Sequence, residues 1–133
     1  MKKILLAYDG GEPARRALET AGELARAFHA PVSVVSVVPE GADGPGVGAS
    51  IDASARANGL QEAKRLLAGM GIDVELLEPS GDPACRIEQI AEEGGFDTIV
   101  IGGGDSAPID RAFRGTVSRH VVAHAAATVV VAH

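Results

Sequence analysis

Two segments of the sequence combine glycines with polar side chains in a way suited to anion binding. Asp9 follows an apolar run in AYDGGEP, and Gly102-Gly103-Gly104 follows another in IVIGGGDSAPIDRAFRGTV. Glycines let backbone amides approach a phosphate, and a helix opening at Gly115-Thr116 would direct its unpaired N–H groups to the same place. A carboxylate such as Asp9 can accept hydrogen bonds from a ribose or an adenine. These features predict a nucleotide cleft; the alternative is that the glycines serve only turn geometry.

The segment Gly102–Ser106 also reads GGGDS, close to the SGGxDS loop of pyrophosphate-releasing adenylating enzymes. Here the position of the leading serine is Ile101, the segment follows a late strand, and no second catalytic segment accompanies it. The sequence also shows no pair of nucleophile and base. We therefore expect a binding protein without enzymatic activity.

Two further groups of residues have chemistry of their own. His120 and His124 stand four residues apart, as metal-binding pairs on a helix do. The sequence around them offers no third ligand, so we expect no metal site and interpret both as solvated histidines near a helix C-terminus. Cys85 lies in the first turn of a predicted helix, where the alternatives are a thiol of lowered pKa and an unreactive surface or core residue.

The elements that position these residues alternate along the chain. Short β-branched or leucine-rich runs are separated by longer amphipathic stretches, which predicts βαβ units. The runs are Lys3–Tyr8, Val32–Val38, Val74–Leu77, Thr98–Ile101 and Thr128–Ala132. Several are continuously apolar, as is typical of parallel strands covered on both faces. The prediction is an α/β fold with an open five-stranded parallel sheet between two helical layers, a three-layer α/β/α sandwich.

Four helices are predicted to connect the strands. The first carries an apolar stripe of Ala14, Ala17, Leu18, Ala21, Leu24 and Phe28. The second starts near Asn58-Gly59 and ends before Gly71, and the third is capped by Asp82, opened by Pro83 and stopped by Gly94-Gly95. The fourth begins near Gly115-Thr116. The glycine- and proline-rich stretch Pro39–Ser50 is expected to be irregular, either as a surface loop or as a flap over a site.

Such a sheet reverses its strand order at one point, and ligands bind there, outside the carboxyl ends of the strands. The loops after the first and fourth strands are the candidates. We expect these two loops, with Asp9 on one and Gly102 on the other, to face each other.

Composition limits the classes of function. The 133 residues are 46% apolar, which suits a single domain spanning 1–133. A net charge of −6 and only four aromatic residues argue against nucleic-acid partners and anionic membranes. The start MKKILLAYDG has too few apolar residues for a signal peptide or a membrane span, and the single Cys85 excludes an internal disulfide. We expect a cytoplasmic protein.

Over all 133 residues the sequence resembles the universal stress protein A family, through YDGGEPARRAL, VSVVSVVPE, GDPACRIEQIAEEGGFDTIVIGG and FRGTVSRHVVAHAAATVVVAH. The resemblance implies the strand order 3-2-1-4-5 of adenine nucleotide alpha-hydrolase-like proteins and binding of ATP or AMP, with or without Mg²⁺. The ATP-binding branch has Gly, two residues, Gly, nine residues, then Gly and Ser or Thr. Gly102, Gly115 and Thr116 match that pattern, and Asp105 stands in place of the second glycine.

The resemblance also assigns positions outside the glycine motif. Asp9 falls where the family contacts the nucleoside, Val37 where it lines the adenine pocket, and Ala7 where a proline is common. The charge of Asp105 opposes phosphate binding, because a like charge at about 4 Å costs about 1 kcal/mol in water and about 4 at an effective dielectric of 20. Arg111 and Arg114, or a Mg²⁺ ion held by Asp105, can offset that cost.

The last predicted strand, Thr128–Ala132, is short, apolar and uncharged, and we expect it to form an edge of the sheet. Such an edge exposes unpaired N–H and C=O groups, so the sequence predicts a homodimer paired through this strand. The expected function is adenine nucleotide binding in a stress response. The alternative is a dimeric interaction protein of the same fold that binds no nucleotide.

Overall fold

Strands and helices alternate along the chain in a computed structural model, which describes residues 1–8, 12–38, 47–102 and 120–132. The elements are β1 (Ile4–Ala7), α1 (Glu12–Phe28), β2 (Val32–Val35), α2 (Val47–Gly69), β3 (Val74–Leu77), α3 (Pro83–Glu93), β4 (Thr98–Gly102) and β5 (Thr128–Ala132). Residues 120–124 are also helical. Each of the five predicted strands is present, with ends that differ from the prediction by no more than a few residues.

The five strands form one parallel sheet in the order β3-β2-β1-β4-β5. The central strand β1 pairs with β2 from Ile4 opposite Val32 and with β4 from Ile4 opposite Thr98. The chain therefore runs outward from β1 to β3, and α3 then carries it back across to β4. This order confirms the predicted α/β fold class and strand order.

The sheet has one apolar cluster on each face, because successive side chains of a strand point to opposite sides. Ile4 and Leu6 of β1 belong to the cluster under α1 and α2, which we call the α1 face. Leu5 belongs to the cluster under α3, which we call the α3 face and which also contains Val121 of the segment 120–124. α1 packs over β1, β4 and β5, and α2 packs over β2 and β3. The predicted three-layer arrangement is thus confirmed.

Small residues bring α1 close to the sheet and to α2. Of its predicted apolar stripe, Ala14, Ala17, Leu18 and Ala21 are buried. A Cβ atom on Gly22 would lie 2.7 Å from Cε of Met70, so this glycine permits a close contact between α1 and the residues after α2. The prediction was wrong for Phe28, which is 53% exposed. Phe28 is the last residue of α1, and Ala25 is buried instead one turn earlier.

α2 begins earlier than the sequence predicted. Val47–Ser50, assigned to the irregular stretch, are helical, and the helix continues through Asn58-Gly59; residues 39–46 lie outside the described residues. Glycine inside a helix costs about 1 kcal/mol relative to alanine, but burial of Leu60, Ala63 and Leu67 against the sheet outweighs that local preference. Although α2 has 23 residues, no helix in the described part of the chain is apolar enough over its length to cross a membrane.

α3 has the ends that its sequence predicted. The Asp82 carboxylate accepts a hydrogen bond from the backbone N–H of Cys85 at 3.1 Å, and Pro83 occupies the first turn. At the other end, the N–H of Gly94 donates to the carbonyl of Ile90 at 2.8 Å, and Gly95 has a φ of 69°. Ala84, Ile87 and Ala91 form the buried side of the helix.

Candidate functional site

Three of the seven predicted site residues lie among the described residues, all at the carboxyl ends of strands. Ala7 is the last residue of β1, Gly102 is the last residue of β4, and Val37 follows β2 by two residues. All three are half-buried. Asp9, Asp105, Gly115 and Thr116 lie outside the described residues.

The topology reverses between β1 and β4. Leu6 of β1 pairs with Val100 of β4, so the carboxyl ends of the two strands are adjacent. After β1 the chain crosses to β2 on one side, and β4 is reached by a crossover from β3 to the opposite side of β1. Sheets of this type bind ligands at such a point, where the two departing connections separate and leave a crevice. The sequence placed its candidate loops at this position.

Backbone hydrogen bonds hold the segment that carries Val37. The N–H of Ser36 donates to the carbonyl of Leu77 at 3.0 Å, and that of Val38 donates to Pro79 at 2.7 Å. The segment therefore runs on as an extended chain beyond β2, with Val38 forming an isolated parallel bridge to Ser80. Ala7 and Val37 both pack against the cluster of the α3 face. The two side chains thus lie on the same side of the sheet, on neighbouring strands.

On the α1 face, opposite Ala7 and Val37, Tyr8 packs at the end of β1; the sequence did not single out this residue. Its N–H donates to the carbonyl of Val35 at 2.9 Å, and its side chain is 6% exposed within the cluster of the α1 face. A Cβ on Gly59 of α2 would lie 3.6 Å from the Tyr8 ring. Tyr8 therefore packs beneath α2 and anchors the residue that precedes Asp9. Side chains alternate between the two faces along β1, so Tyr8 lies on the same face as Ile4 and Leu6. This alternation could have predicted from the sequence that Tyr8 is buried.

Charged groups at the neighbouring β3 to α3 connection are held in place by the loop. The pKa of the Asp82 carboxyl is lowered, chiefly because the backbone N–H of Cys85 donates to it. The Arg86 guanidinium donates from Nε to the carbonyl of Ser80 at 2.8 Å and from Nη1 to Oε1 of Gln89 at 2.9 Å. Gly81, with a φ of 132°, lies against the Arg86 side chain. One carboxylate and one cation thus occupy fixed positions at this end of the sheet.

Cys85 is an exposed free cysteine. The Asp82 carboxylate, which hydrogen-bonds with the thiol, is the largest of several causes that raise its pKa. A thiol of raised pKa carries less thiolate and is a poorer nucleophile at neutral pH. Of the two interpretations offered by the sequence, this geometry favours the unreactive surface residue.

The expectation that His120 and His124 have no third ligand nearby was wrong. Glu88 of α3 lies beside them, and its Oε1 is 2.9 Å from Nδ1 of His120. One donor atom of each of these three residues lies within 4.8 Å of the other two. No spacing in the sequence predicted this contact, because Glu88 stands 32 residues before His120 on a different helix.

A groove of about 460 Å³ lies between β3 and α3, and none of the three described site residues lines it. Leu77, Ile90 and Phe96 form part of its lining. Glu75, Glu78 and Glu93 also line it, against a single lysine, Lys3. This excess of carboxylates disfavours a phosphate ligand, so the groove does not compete with the β1 and β4 ends as a nucleotide site.

Comparison with known proteins gives a consistent result. A universal stress protein from Archaeoglobus fulgidus is 27% identical, with 100% of this chain and 99% of that chain covered and a TM-score of 0.80. A protein of the universal stress protein family from Burkholderia pseudomallei is 29% identical over 98% and 94% of the two chains, with a TM-score of 0.78. The structure of the universal stress protein from Archaeoglobus fulgidus in complex with dAMP is 27% identical over 100% and 98%, with a TM-score of 0.77.

No curated protein matches the chain. The model of the universal stress protein family matches residues 1–133, the whole of the sequence. This match confirms the resemblance drawn from the sequence segments, and the chain belongs to the universal stress protein family.

Proposed function

We propose that this chain binds an adenine nucleotide at the carboxyl ends of β1 and β4 and performs no dedicated catalysis. The observation that carries the proposal is the reversal of strand order between these two strands, which end at Ala7 and Gly102; sheets of this type bind ligands in a crevice at such a point. A family member that is 27% identical, with 98% of its chain covered, forms a complex with dAMP. The topology supports the position of the site, and the family member supports an adenine nucleotide as the ligand class.

In this proposal the site residues have separate roles. Val37 contacts the adenine ring from the end of β2, with Ala7 beside it on the same face. Asp9 accepts hydrogen bonds from the nucleoside. Gly102 allows the chain after β4 to approach the phosphates, and the N–H groups at Gly115-Thr116 bind them.

The number of phosphates that the site accepts depends on Asp105. Its carboxylate stands where the ATP-binding branch of the family has a glycine, and it opposes each added phosphate charge. A monophosphate such as AMP carries less negative charge than ATP and suffers less from this repulsion. ATP binding would then require Mg²⁺, with Asp105 as one of its oxygen ligands.

Calorimetry with a substitution at Gly115 tests the proposed cleft. The protein is titrated with AMP and with ATP, each with and without Mg²⁺. The Gly115→Val variant should lose binding, because a branched side chain blocks the approach of a phosphate to the backbone amides. The matched control is Gly69→Val at the end of α2, where an added Cβ meets nothing within 4 Å. Equal affinity in wild type and a folded Gly115→Val variant would disprove the site.

The position of β5 supports a second proposal, a homodimer formed through Thr128–Ala132. Among the strands that the structure describes, β5 is at the edge of the sheet and pairs only with β4, and Thr128 is exposed at its start. Its free edge presents N–H and C=O groups that a second copy can satisfy by antiparallel pairing about a two-fold axis. This surface also supports the alternative function, a dimeric interaction protein that binds no nucleotide.

Light scattering at micromolar concentration separates these possibilities. We expect a dimer for the wild type and a folded monomer for Thr128→Lys, because a charge on the edge disfavours strand pairing. A dimer that binds neither AMP nor ATP would favour the interaction protein, and a monomeric wild type would reject pairing through β5. We also propose a cytoplasmic location. The free thiol of Cys85 is compatible with the reducing conditions of that compartment.

A further inference from the structure

The cluster of Glu88, His120 and His124 joins two helical elements on the α3 face of the sheet. Glu88 lies in the middle of α3, and the two histidines lie one turn apart in the helical segment 120–124. The imidazole rings of His120 and His124 are stacked, with centroids 4.2 Å apart and an angle of 24° between their planes. Both rings therefore project from the same side of their helix, toward α3.

Hydrogen bonds determine which nitrogen of each ring is available. Nδ1 of His124 lies 2.9 Å from the carbonyl oxygen of His120, and Nδ1 of His120 lies 2.9 Å from the Glu88 carboxylate. A carbonyl or an ionised carboxylate only accepts, so both Nδ1 atoms must donate a proton. In the neutral imidazole this leaves the lone pair on Nε2. Nε2 of His124 is thus available to a metal ion, and on His120 an ion can replace the proton that Nδ1 shares with the Glu88 carboxylate.

The surroundings favour a cation. The Glu88 side chain is 21% exposed and that of His120 is 41% exposed, so the cluster is reachable from solvent without being fully hydrated. The Asp82 carboxylate is close enough to interact electrostatically with His120.

We infer that Glu88, His120 and His124 bind a divalent transition-metal ion of the Zn²⁺ type. Imidazole nitrogen with carboxylate oxygen is a ligand set that suits Zn²⁺, whereas Mg²⁺ and Ca²⁺ prefer oxygen alone. Ligands of a tetrahedral zinc with bonds of 2.0 to 2.1 Å are about 3.3 Å apart, and the three donor atoms here already lie within 4.8 Å of each other. Small rotations of partly exposed side chains close the difference, and water completes the coordination.

The bound ion would link α3 to the last helical segment. Apart from Asp82, the inference uses no residue of the proposed nucleotide site or its surroundings, and it does not depend on nucleotide binding. A ligand that binds only the folded chain stabilises it. The stabilisation grows with the logarithm of the ratio between the ligand concentration and the dissociation constant. Zn²⁺ should therefore raise the thermal unfolding temperature of the protein.

The test is calorimetric titration of the protein with Zn²⁺ in a non-chelating buffer, without nucleotide because phosphates bind the metal. We expect saturable binding of one ion, weakened at least about tenfold in His120→Ala, in His124→Ala and in Glu88→Gln. His29→Asn is the matched control, because His29 is an exposed histidine outside the cluster with a φ of 55°, which asparagine tolerates. It should leave the affinity unchanged.

Thermal unfolding provides the second measurement. Zn²⁺ should raise the unfolding temperature of wild type and of His29→Asn but not that of the double variant His120→Ala/His124→Ala. Mg²⁺ at the same concentration should not reproduce the shift. Binding that survives in the double variant, or that is lost equally in His29→Asn, would overturn the assignment, as would the absence of zinc binding to wild type.

Discussion

At the amino ends of the strands, short connections are hydrogen-bonded to one another, whereas the carboxyl ends of β1 and β4 are followed in the sequence by the glycine-containing stretches DGGEP and GGDSAP. Asp97, just before β4, accepts hydrogen bonds from the backbone N–H of Lys2 at 2.7 Å and of Lys3 at 3.2 Å. Its own carbonyl accepts from the N–H of Thr128 at the start of β5. One residue therefore connects the starts of β1, β4 and β5.

At the carboxyl ends, the described backbone hydrogen bonds join neighbouring strands in pairs, as from the N–H of Tyr8 to the carbonyl of Val35 at 2.9 Å. There, Ala7, Val37 and Gly102 are half-buried, and the backbone contacts of Val38 and Ser36 are made to the β3 side. In α/β folds one end of the sheet commonly stabilises the fold and the other binds ligands, and we expect the same division here. Substitutions at the amino end should then affect unfolding, and those at the carboxyl end should affect nucleotide affinity.

The largest effect is expected for Gly94→Ala at the amino end. A Cβ at Gly94 would lie 2.5 Å from the buried ring of Phe96 and 2.9 Å from the carbonyl oxygen of Ile90, so ring or backbone must move. Such overpacking should lower the free energy of unfolding by about 2–3 kcal/mol in urea denaturation. Gly69→Ala is the control, because its Cβ meets nothing within 4 Å and should be neutral or stabilising. Equal stability of both variants would contradict the packing argument.

Asp105→Gly at the carboxyl end should strengthen ATP binding by about 2 kcal/mol at low salt without Mg²⁺, because it removes the repulsion between the carboxylate and the phosphates. This figure lies between the repulsion energies of about 1 kcal/mol in water and about 4 kcal/mol at an effective dielectric of 20. The gain should be smaller for AMP, which carries less charge. Titration calorimetry of both nucleotides measures the difference, and urea denaturation should show little change in stability. Weaker binding of Mg·ATP in the variant would instead identify Asp105 as a metal ligand.

Asp97→Ala should lower the free energy of unfolding by about 1 kcal/mol, since charge-assisted hydrogen bonds are weakened where they are exposed to water. The comparison with the carboxyl end predicts no accompanying change in nucleotide affinity. Chemical denaturation and titration of the same preparation give both values. A variant that keeps its stability but loses nucleotide binding would reverse the proposed division between the two ends.

The contribution of Asp97 should also depend on pH. The backbone N–H of Lys2 is the main cause that lowers the pKa of the Asp97 carboxyl, followed by Lys3 and the Thr98 hydroxyl. A carboxyl with a lower pKa in the folded state stabilises the protein fully above its unfolded pKa of about 4. That stabilisation is lost as the pH falls through the folded pKa. The stability difference between wild type and Asp97→Ala should therefore shrink below about pH 4, and a constant difference would contradict the assignment.

The smallest effect on stability is expected for Val37→Ala, about 0.5 kcal/mol, because the side chain is only half-buried. If Val37 contacts the adenine, affinity for AMP should nonetheless fall roughly threefold. Val74→Ala is the matched control, since Val74 is also half-buried but lies at the amino end of β3. It should change stability by a similar amount and leave AMP binding intact. Equal affinity in the two variants would remove Val37 from the site.

Local patterns in the sequence were enough to predict much of this fold. The five strands, the Asp82 cap and the stop at Gly94 agree with the structure. Each depends on the periodicity of apolar residues or on the backbone preferences of single residues, which neighbours in sequence determine. The strand order also agrees, and it was implied by the family resemblance. The position of the β1 and β4 ends followed from the strand order together with the rule for parallel sheets.

Features that combine distant segments were decided only by the tertiary structure. Helical propensity did not reveal that α2 extends back to Val47, and the stripe of α1 did not show that Phe28 lies beyond the buried surface. The hydrogen bonds of Asp97 to Lys2 and Lys3 join residues more than 90 positions apart, and Glu88 lies 32 positions before His120. Side-chain chemistry at these positions is readable from the sequence, but contact between them depends on how helices and strands pack, which no local pattern encodes.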